Sequence, residues 1–305
     1  MPTTIVTTDR VTWTDITHPT QVDMDALSVR YPQFHPLNLR DCLNELEIPK
    51  LDHDDNHLFI VVQMPLWSEA EQIYIRTEVD VFITKGVLVT SHPGDLPSLI
   101  QLSTQLQQDD NQRNERMSQG ASPLLYELLH SLIDDCYPIV FKVGHNLHHI
   151  EKRLFHNDTR HLLYEIARLR RDIITLRSIL KPQIGVIQLL AHGDWPFIHE
   201  ELDPYWDNLS DHLVQLSTML DEYYEIIVGL SDTVDTLASH RIDEVVHLLT
   251  VVTVITLPVS LLAAIFGMNV VVPWGEHPLM FYGLIVFSLL LTAWLGWYLR
   301  RKQWL

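Results

Sequence analysis

The sequence predicts an α+β membrane protein, in which an N-terminal α/β/α domain precedes a very long helix and two C-terminal transmembrane helices. Short runs rich in Val, Ile and Thr fill the first 92 residues, apolar residues recur at helical spacing after them, and two uncharged apolar stretches close the chain. We divide the 305 residues into an α/β/α domain with a helical hairpin (1–203), a stalk helix (204–244), a first span (245–266), an outer loop (267–278), a second span (279–299) and a basic tail (300–305).

The N-terminal domain is predicted from period-2 and helical patterns. Runs of β-branched residues bounded by turn residues predict strands over 3–7, 11–14, 58–64, 73–84 and 87–91. The Lys85-Gly86 pair predicts a hairpin turn between the last two strands. Helical spacing predicts helices over 23–31, 37–46, 96–117, 123–155 and 160–180. The sequence His156-Asn157-Asp158 separates the last two helices.

The two C-terminal stretches have the length of membrane spans. No Asp, Glu, Lys or Arg occurs over 245–275, and only Glu276 precedes Arg300 after that. About 20 apolar residues cross a hydrocarbon core of about 30 Å, a length that 245–266 and 279–299 both reach. A buried hairpin of a soluble core is the alternative, but soluble helices of this length carry a charged face.

Charge and cysteine content limit the classes of function. Residues 1–244 contain 38 of the 39 acidic side chains and 18 of the 21 basic ones. Such an acidic domain repels nucleic acid and anionic lipid and concentrates cations. Only Cys42 and Cys136 occur, without a secretory signal, which predicts a reducing cytosolic location. Arg300, Arg301 and Lys302 after the second span place both termini in the cytoplasm by the positive-inside bias.

An apolar heptad seam runs along the segment before the first span. No proline interrupts 205–257, so one helix over 204–266 would be about 95 Å long. The seam predicts that this helix packs against partner helices, and its members are Leu209, Leu213, Leu216, Leu220, Tyr223, Ile227, Leu230, Val234 and Leu237.

A second stripe on the same helix is small, hydroxylated or acidic. Because lipid-facing positions are large and apolar, such a face predicts a bundle interior or an aqueous path. For each Thr or Ser, a bond to its own helix is the alternative. The stripe comprises Gly267, Ala264, Ser260, Leu257, Thr253, Thr250, Val246, Asp243, Ser239, Thr236, Asp232, Gly229, Glu225 and Glu222, with Leu249 beside it.

One helix cannot enclose a pore, so the stripe predicts a closed homo-oligomer in which each chain contributes one lining helix. Symmetry turns each stripe residue into a ring. Leu257 and Val246 become apolar constrictions that gate by excluding water, whereas Asp243 and Asp232 become rings that attract cations.

Several motifs resemble the CorA family of magnesium and cobalt transporters. The family's Gly-Met-Asn motif stands between the two spans as Gly267-Met268-Asn269. Pro258 lies within the first span, Glu276 lies in the outer loop, and the chain ends on Arg300-Arg301-Lys302-Gln303-Trp304-Leu305. His35-Pro36-Leu37 and Asp41-Cys42-Leu43-Asn44 are similar to the family's N-terminal motif, so the resemblance covers nearly the whole chain.

The resemblance implies a homopentameric funnel in the cell inner (plasma) membrane that passes Mg²⁺, Co²⁺ and Ni²⁺. Gly267, Met268 and Asn269 would form the selectivity filter, in which a ring of Asn269 oxygens holds an ion that gives up its water reluctantly. Glu276 would supply a negative outer vestibule, and Arg300, Arg301 and Lys302 a basic ring near the inner leaflet. Phe266 stands where the family usually has Tyr, so a hydroxyl that braces the filter is lost.

The resemblance also implies a regulatory Mg²⁺ site between neighbouring cytoplasmic domains. Candidate ligands are Glu69 and Glu71 on one side and Asp207 and Asp211 on the other. Ser68 and Asn208 replace acids at the aligned positions, which weakens the predicted site.

Three other functions stay open. The first is a zinc transporter of the same superfamily. His145, His148 and His149 lie on one predicted helix, and His145 and His149 have a zinc-ligand spacing, but no Cys lies nearby and solvated or interface histidines are the favoured interpretation. A membrane-anchored enzyme is the second, although 1–240 contains no nucleophile elbow, phosphate loop or paired-carboxylate motif, and no catalytic residue is predicted. A coiled-coil scaffold is the third, supported by the heptad seam alone.

Overall fold

The computed structural model describes residues 3–44, 47–154, 159–268 and 278–301. The chain divides into two compact units, Met1–Ser231 and Asp232–Leu305. The first unit has an α/β/α core, and the second contains the apolar C-terminal helices.

The core of the first unit is a six-stranded sheet in the order β1-β2-β6-β5-β4-β3. Strand β2 pairs with β6 in parallel, and the other neighbours are antiparallel. At the β5–β6 turn Gly86 has a φ of 78°, and a Cβ there would lie 2.9 Å from the Arg10 carbonyl oxygen. The strands are β1 (Thr3–Thr7), β2 (Thr12–Thr17), β3 (Lys50–Asp54), β4 (His57–Ser68), β5 (Ile73–Thr84) and β6 (Val87–His92).

Two short helices, α1 (Gln21–Arg30) and α2 (Pro36–Asp41), cover one face of the sheet. Apolar residues of both helices form one buried cluster with Phe59, Phe82 and other strand residues. The rings of Phe59 and Phe82 lie 4.6 Å apart between centroids. Burial of this aromatic cluster holds the first layer on the sheet.

Further helices cover the opposite face. The Gln183 amide of α8 donates to the Gln63 carbonyl oxygen of β4 and accepts from the Gln63 N–H at 3.3 Å. Arg76 of β5 donates to the Ser178 hydroxyl of α7 at 2.7 Å. These helices are α3 (Pro97–Gln108), α4 (Asp110–Met117), α5 (Ala121–Asp134), α6 (Cys136–Arg153), α7 (Thr159–Leu180) and α8 (Gln183–His192).

Two predicted helices are wrong as single elements. The helix predicted over 96–117 breaks at Asp109, which is extended and whose carboxylate accepts from the N–H groups of Asn111 and Gln112 as the N-cap of α4. The helix predicted over 123–155 breaks at Asp135 between α5 and α6. Pro138 lacks the N–H that would continue the ladder to the Asp134 carbonyl.

The other sequence-based boundaries differ less. Strands β1 and β5 are confirmed, and β2 and β4 extend beyond the predictions over 11–14 and 58–64. Helix α2 ends at Asp41, before the predicted end at 46. Strand β3 and helix α8 were not predicted, and the predicted break at His156-Asn157-Asp158 lies outside the described residues.

One helix, α9 (Asp203–Phe266), extends over the whole range predicted for it, and Pro258 lies inside it. Within the first unit its N-terminal part packs on α5, α6 and α7. The Trp206 ring lies 5.5 Å from that of Tyr126, Tyr137 donates to Gln215 at 3.1 Å, and Arg177 pairs with Asp221 at 2.6 Å.

The heptad seam of α9 is therefore buried largely within one chain. Its members Leu209, Leu213, Leu216, Leu220 and Ile227 have no exposed surface. The prediction that the seam packs against partner helices is confirmed for this part of α9, and α5, α6 and α7 of the same chain supply those helices. Only Leu237, at the end of the seam, is as much as 36% exposed.

Within the described residues, three helical stretches have the length and composition of membrane spans: His161–His192, α9 and Phe281–Arg301 of α10 (Pro278–Arg301). The most apolar windows of α9 and α10 are each 6% buried, whereas that of His161–His192 is 44% buried. The stretch His161–His192 combines most of α7 with α8, and both helices pack on the sheet as described above. The C-terminal helices are therefore the two that expose their apolar surface.

Candidate functional site

The predicted lining stripe occupies one side of α9 in the second unit, from Asp232 to the end of the helix. Its apolar members are exposed in the single chain, with Leu257 58%, Val246 54% and the neighbouring Leu249 65% exposed. Thr253, Ser260 and Ala264 are exposed as well, and Thr250 is half-buried. The single chain thus leaves this stripe open to another occupant.

The threonine hydroxyls of the stripe bond to their own helix. Thr250 donates to the Val246 carbonyl oxygen at 2.7 Å, and Thr253 donates to the Leu249 carbonyl oxygen at 2.8 Å. Lower on the helix, Thr236 donates to the Asp232 carbonyl oxygen at 2.8 Å. Each hydroxyl proton is therefore used, but each oxygen keeps a lone pair that can accept from water.

Toward the N-terminal end of α9, before its apolar part, the stripe contains acidic side chains. Asp243 and Asp232 are exposed, and so is Ser239, whose hydroxyl donates to the Asp235 carbonyl oxygen at 2.9 Å. In a ring of copies these carboxylates would repeat around one axis and attract cations.

Helix α9 ends at the predicted filter. The Gly267 N–H donates to the Ala263 carbonyl oxygen at 2.9 Å, and the Met268 N–H donates to the Ile265 carbonyl oxygen at 3.4 Å. A Cβ on Gly267 would lie 3.1 Å from the Ala263 oxygen, which is closer than ordinary contact. Met268 is exposed, and the predicted filter residue Asn269 and vestibule residue Glu276 lie outside the described residues.

The predicted basic ring begins at the end of α10. Arg300 and Arg301 lie in its last turn, and the Arg301 guanidinium lies 5.5 Å from the Trp297 ring centroid. Lys302 lies outside the described residues. Cationic and aromatic residues together at one helix end are typical of a membrane interface.

The predicted regulatory acids have different local partners. Glu69 accepts from Gln72 at 3.0 Å within the turn between β4 and β5, beside Glu71. Asp207 of α9 lies 3.9 Å from His192, and Asp211 is exposed. Within the described residues of one chain these four acids do not form a cluster of metal ligands.

The histidines that the sequence singled out are also apart from any such cluster. His145, His148 and His149 of α6 are exposed, and His148 lies 3.4 Å from Glu151. The structure brings together a different set, His130, Asp134 and His212. The spacing of His130 and Asp134 on one helix was readable in the sequence, whereas nothing in the sequence links them to His212.

Glu78 and Asp80 of β5 form a pair of buried carboxyl groups near Cys42 at the end of α2. Burial raises the pKa of Asp80 well above its ordinary value, and the neighbouring Glu78 raises it further. Burial also raises the pKa of Glu78 and, together with Asp80, that of the Cys42 thiol. Asp80 therefore holds its proton to higher pH in the fold than in an unfolded chain.

Known proteins resemble this chain along its length. The family model described as CorA-like Mg²⁺ transporter protein matches residues 8–301. The cobalt/magnesium transport protein CorA of Thermotoga maritima is 25% identical over 302 residues, which cover 96% of this chain and 83% of that protein. The putative metal ion transporter YfjQ of Bacillus subtilis is 27% identical over 257 residues, covering 84% of this chain and 78% of that protein.

Two further comparisons concern the fold and the zinc branch. The complete structure of the CorA magnesium transporter from Methanocaldococcus jannaschii superimposes with a TM-score of 0.83 at 22% identity, covering 97% of this chain and 92% of that chain. The zinc transport protein ZntB of Pectobacterium carotovorum is 24% identical over 142 residues, which cover 46% of this chain and 43% of that protein. The first comparison shows a common fold, and the second reaches less than half of this chain.

Proposed function

Since the chain belongs to the CorA-like Mg²⁺ transporter family and is a divalent metal ion transporter, we propose that it is a magnesium channel that also passes Co²⁺ and Ni²⁺. In this proposal five copies surround one axis, and α9 of each copy lines the pore. Helix α10 lies outside the ring of α9 helices. The protein spans the inner (plasma) membrane, and both of its termini lie in the cytoplasm. The transported ions are cargo of the pore, and Mg²⁺ is also the proposed regulatory ligand.

The observation that carries the proposal is the exposed stripe on α9. Small and hydroxylated residues occupy one face of a helix that is otherwise apolar enough for a span, and this face is open in the single chain. Against lipid, such a face would forgo the packing of large side chains and leave polar oxygens in hydrocarbon. Facing the axis of a ring, the same oxygens can contact water and hydrated ions.

Charge and constriction give the proposed pore its selectivity. Asp232 and Asp243 concentrate cations below the membrane, while rings of Val246 and Leu257 form apolar constrictions that close by dewetting. At the outer end, neutral oxygens of Asn269 hold a hydrated Mg²⁺, whose water shell exchanges reluctantly. Glu276 adds negative charge to the vestibule.

Regulation remains part of the proposal. Glu69 and Glu71 of one copy would meet Asp207 and Asp211 of the next, where Mg²⁺ bound between copies would hold the pore closed. The local partners of Glu69 and Asp207 are weak and exposed, so these carboxylates remain available to a metal.

A zinc transporter is the second candidate. The similarity to ZntB supports it, while the relatives described as cobalt/magnesium transport proteins match 96% and 97% of this chain. Met268 in the Gly-Met-Asn motif also favours magnesium. The two candidates differ in which ion passes and not in the architecture of the pore.

Ion uptake into liposomes tests the proposal. Purified protein in vesicles should pass Mg²⁺, Co²⁺ and Ni²⁺ down their gradients faster than Zn²⁺, and Asn269→Ala should lower Mg²⁺ flux by about a hundredfold. Asn114→Ala is the matched control, since it removes an exposed amide from α4, outside the filter motif and the proposed regulatory site, and it should leave Mg²⁺ flux unchanged. Equal Mg²⁺ flux in wild type and Asn269→Ala would overturn the assignment of the filter. Faster Zn²⁺ flux would establish the second candidate, and the mass of the complex in detergent tests the pentamer.

A further inference from the structure

Three potential metal ligands converge where α5 packs on α9 in the first unit. His130 and Asp134 lie one turn apart on α5, and His212 lies on α9. One ligand atom from each residue lies within 4.8 Å of the other two, and among the described residues no other group of His, Cys, Asp and Glu side chains does so.

The separations in this cluster suit a metal with four ligands. The distance from Nδ1 of His130 to Oδ2 of Asp134 is 3.1 Å, and that from Nδ1 of His212 to Oδ1 of Asp134 is 3.9 Å. Tetrahedral zinc sites have metal–ligand bonds of about 2.0–2.2 Å, so their ligand atoms are separated by about 3.3–3.5 Å. The observed distances lie on either side of this range, and small side-chain rotations would equalise them.

An unsatisfied nitrogen points to a missing ligand. Nδ1 of His212 is shielded from solvent and has no hydrogen-bond partner among the described residues. Buried polar atoms without partners are uncommon in native folds because each loses hydration without compensation. His130 and Asp134 can be explained as an ion pair one turn apart, but that pair leaves the His212 nitrogen unsatisfied. A metal would satisfy all three residues.

Aromatic neighbours hold the two imidazoles in place. The ring of Tyr126 lies 5.5 Å from that of His130, and the ring of Tyr137 stands edge-on to His212 at 5.8 Å. Tyr137 is itself fixed by its hydrogen bond to Gln215. Ligands held by their surroundings lose little entropy on binding a metal.

We propose that His130, Asp134 and His212 bind one borderline divalent cation of the Zn²⁺, Co²⁺ and Ni²⁺ class, with water as a further ligand, and discriminate against Mg²⁺. Imidazole nitrogen suits Zn²⁺ and Ni²⁺, whereas Mg²⁺ prefers six oxygen ligands and keeps several waters. The bound ion ties α5 to α9, so the helix that continues into the proposed pore gains a link that depends on transition metal. This inference rests on the geometry of the first unit and not on the proposed pore.

Cobalt absorption tests the site directly. Tag-free full-length protein in detergent should bind one Co²⁺ per chain with visible d–d bands of low-coordinate cobalt, and Zn²⁺ should displace it whereas millimolar Mg²⁺ should not. His130→Ala should lower Co²⁺ affinity about a hundredfold, and Asp134→Asn about tenfold. The side chains of His130 and Asp134 are 32% and 48% exposed, respectively, so these variants are expected to fold.

Matched controls separate this site from the other histidines, of which the chain has 17 in all. The double variant His148→Ala/His149→Ala, on the exposed face of α6, should keep the affinity and spectrum of the wild type. Transition metal should also raise the unfolding temperature of the wild type and of this control, but not of His130→Ala. Equal Co²⁺ affinity in His130→Ala and wild type would overturn the proposal, as would an equal loss in the α6 control.

Discussion

Two stretches of α9 have the same helical spacing but opposite surroundings. From Leu209 to Ile227 the apolar side of the helix is buried by helices of the same chain, except at Tyr223, which is half-buried. From Ile242 to Ile265 nearly every large side chain is exposed in the single chain, although the sequence is more apolar there. The first stretch has its partners within one chain, whereas the second has few partners among the described residues of the same chain.

The comparison teaches that hydrophobicity alone does not identify the partner of a helix face. In the first stretch one stripe is apolar and the remainder is polar, which is the pattern of a helix on a soluble core. In the second stretch the pattern is reversed, because large apolar residues cover most of the circumference and a narrow stripe is small and polar. In each stretch, the stripe that differs from the rest of the helix surface therefore indicates which side of the helix has a different environment.

The largest expected effect separates the two stretches by stability. Leu216→Ala removes a fully buried side chain and should destabilise the first unit by about 2–5 kcal/mol, through lost burial and the cavity left behind. Leu257→Ala, in the exposed stretch, should leave that stability unchanged. Denaturant unfolding of both variants in detergent, followed by the fluorescence of the buried tryptophans, measures the difference. Equal destabilisation by both substitutions would contradict the comparison.

A smaller effect concerns pH, and it belongs to the first unit. The raised pKa of Asp80 means that the folded chain binds more protons than the unfolded chain between the two pKa values, so stability falls as pH rises through that range. Asp80→Asn removes the buried ionisable group and should stabilise the protein at neutral pH by about 1–3 kcal/mol. Unfolding midpoints between pH 5 and 8 should then vary less with pH than those of the wild type.

The control for this prediction is Glu115→Gln, which removes an exposed carboxylate of α4. Its midpoints should follow those of the wild type at every pH. If Asp80→Asn showed the same pH dependence as the wild type, Asp80 would not be the group whose titration changes stability.

A moderate effect on ion flux tests the exposed stripe. Leu257→Asn replaces an apolar ring with a polar one, so the proposed constriction should stay hydrated and resting Mg²⁺ flux should rise about tenfold, equivalent to about 1.4 kcal/mol. Leu248→Asn places the same side chain on the opposite side of α9 and should not raise flux. Flux that increased only in the Leu248 variant would place the axis of the pore on the other side of the helix.

The smallest effect concerns one hydroxyl. Because Thr253 already donates to the Leu249 carbonyl, only its lone pairs can contact water, and Thr253→Val should lower Mg²⁺ flux by about twofold to threefold, equivalent to less than 1 kcal/mol. Thr253→Ser keeps the hydroxyl and should conduct as the wild type does. Identical flux in the Val and Ser variants would assign the hydroxyl to helix bonding alone.

Local pattern predicted most of the fold, and the exceptions have physical causes. Strands β1 and β5 are rich in β-branched residues and were predicted with correct bounds. Strand β3, with the sequence Lys-Leu-Asp-His-Asp, is polar because it lies at the edge of the sheet, so period-2 burial is absent. The break at Asp109 was missed because an N-cap carboxylate and a polar helix residue look alike in a sequence without tertiary contacts.

The candidate site was predictable where its residues share one helix. The stripe from Asp243 to Gly267 follows from spacing alone, as does the pairing of His130 with Asp134. The third member of that cluster, His212, comes from another helix, and only packing reveals it. Spacing also places His145 and His149 on one face of α6, but spacing shows only which residues share a face and not whether that face receives a partner.

Pro258 gives the second stretch of α9 a fixed place at which to bend. Its ring nitrogen cannot donate to the Val254 carbonyl oxygen, so the backbone ladder is weakest within that one turn. No other proline interrupts the helix beyond its first turn, and a force applied elsewhere along it meets a continuous ladder of hydrogen bonds. We therefore expect α9 to bend most easily near Pro258, which adjoins Leu257, so that bending there would change the width of the proposed constriction.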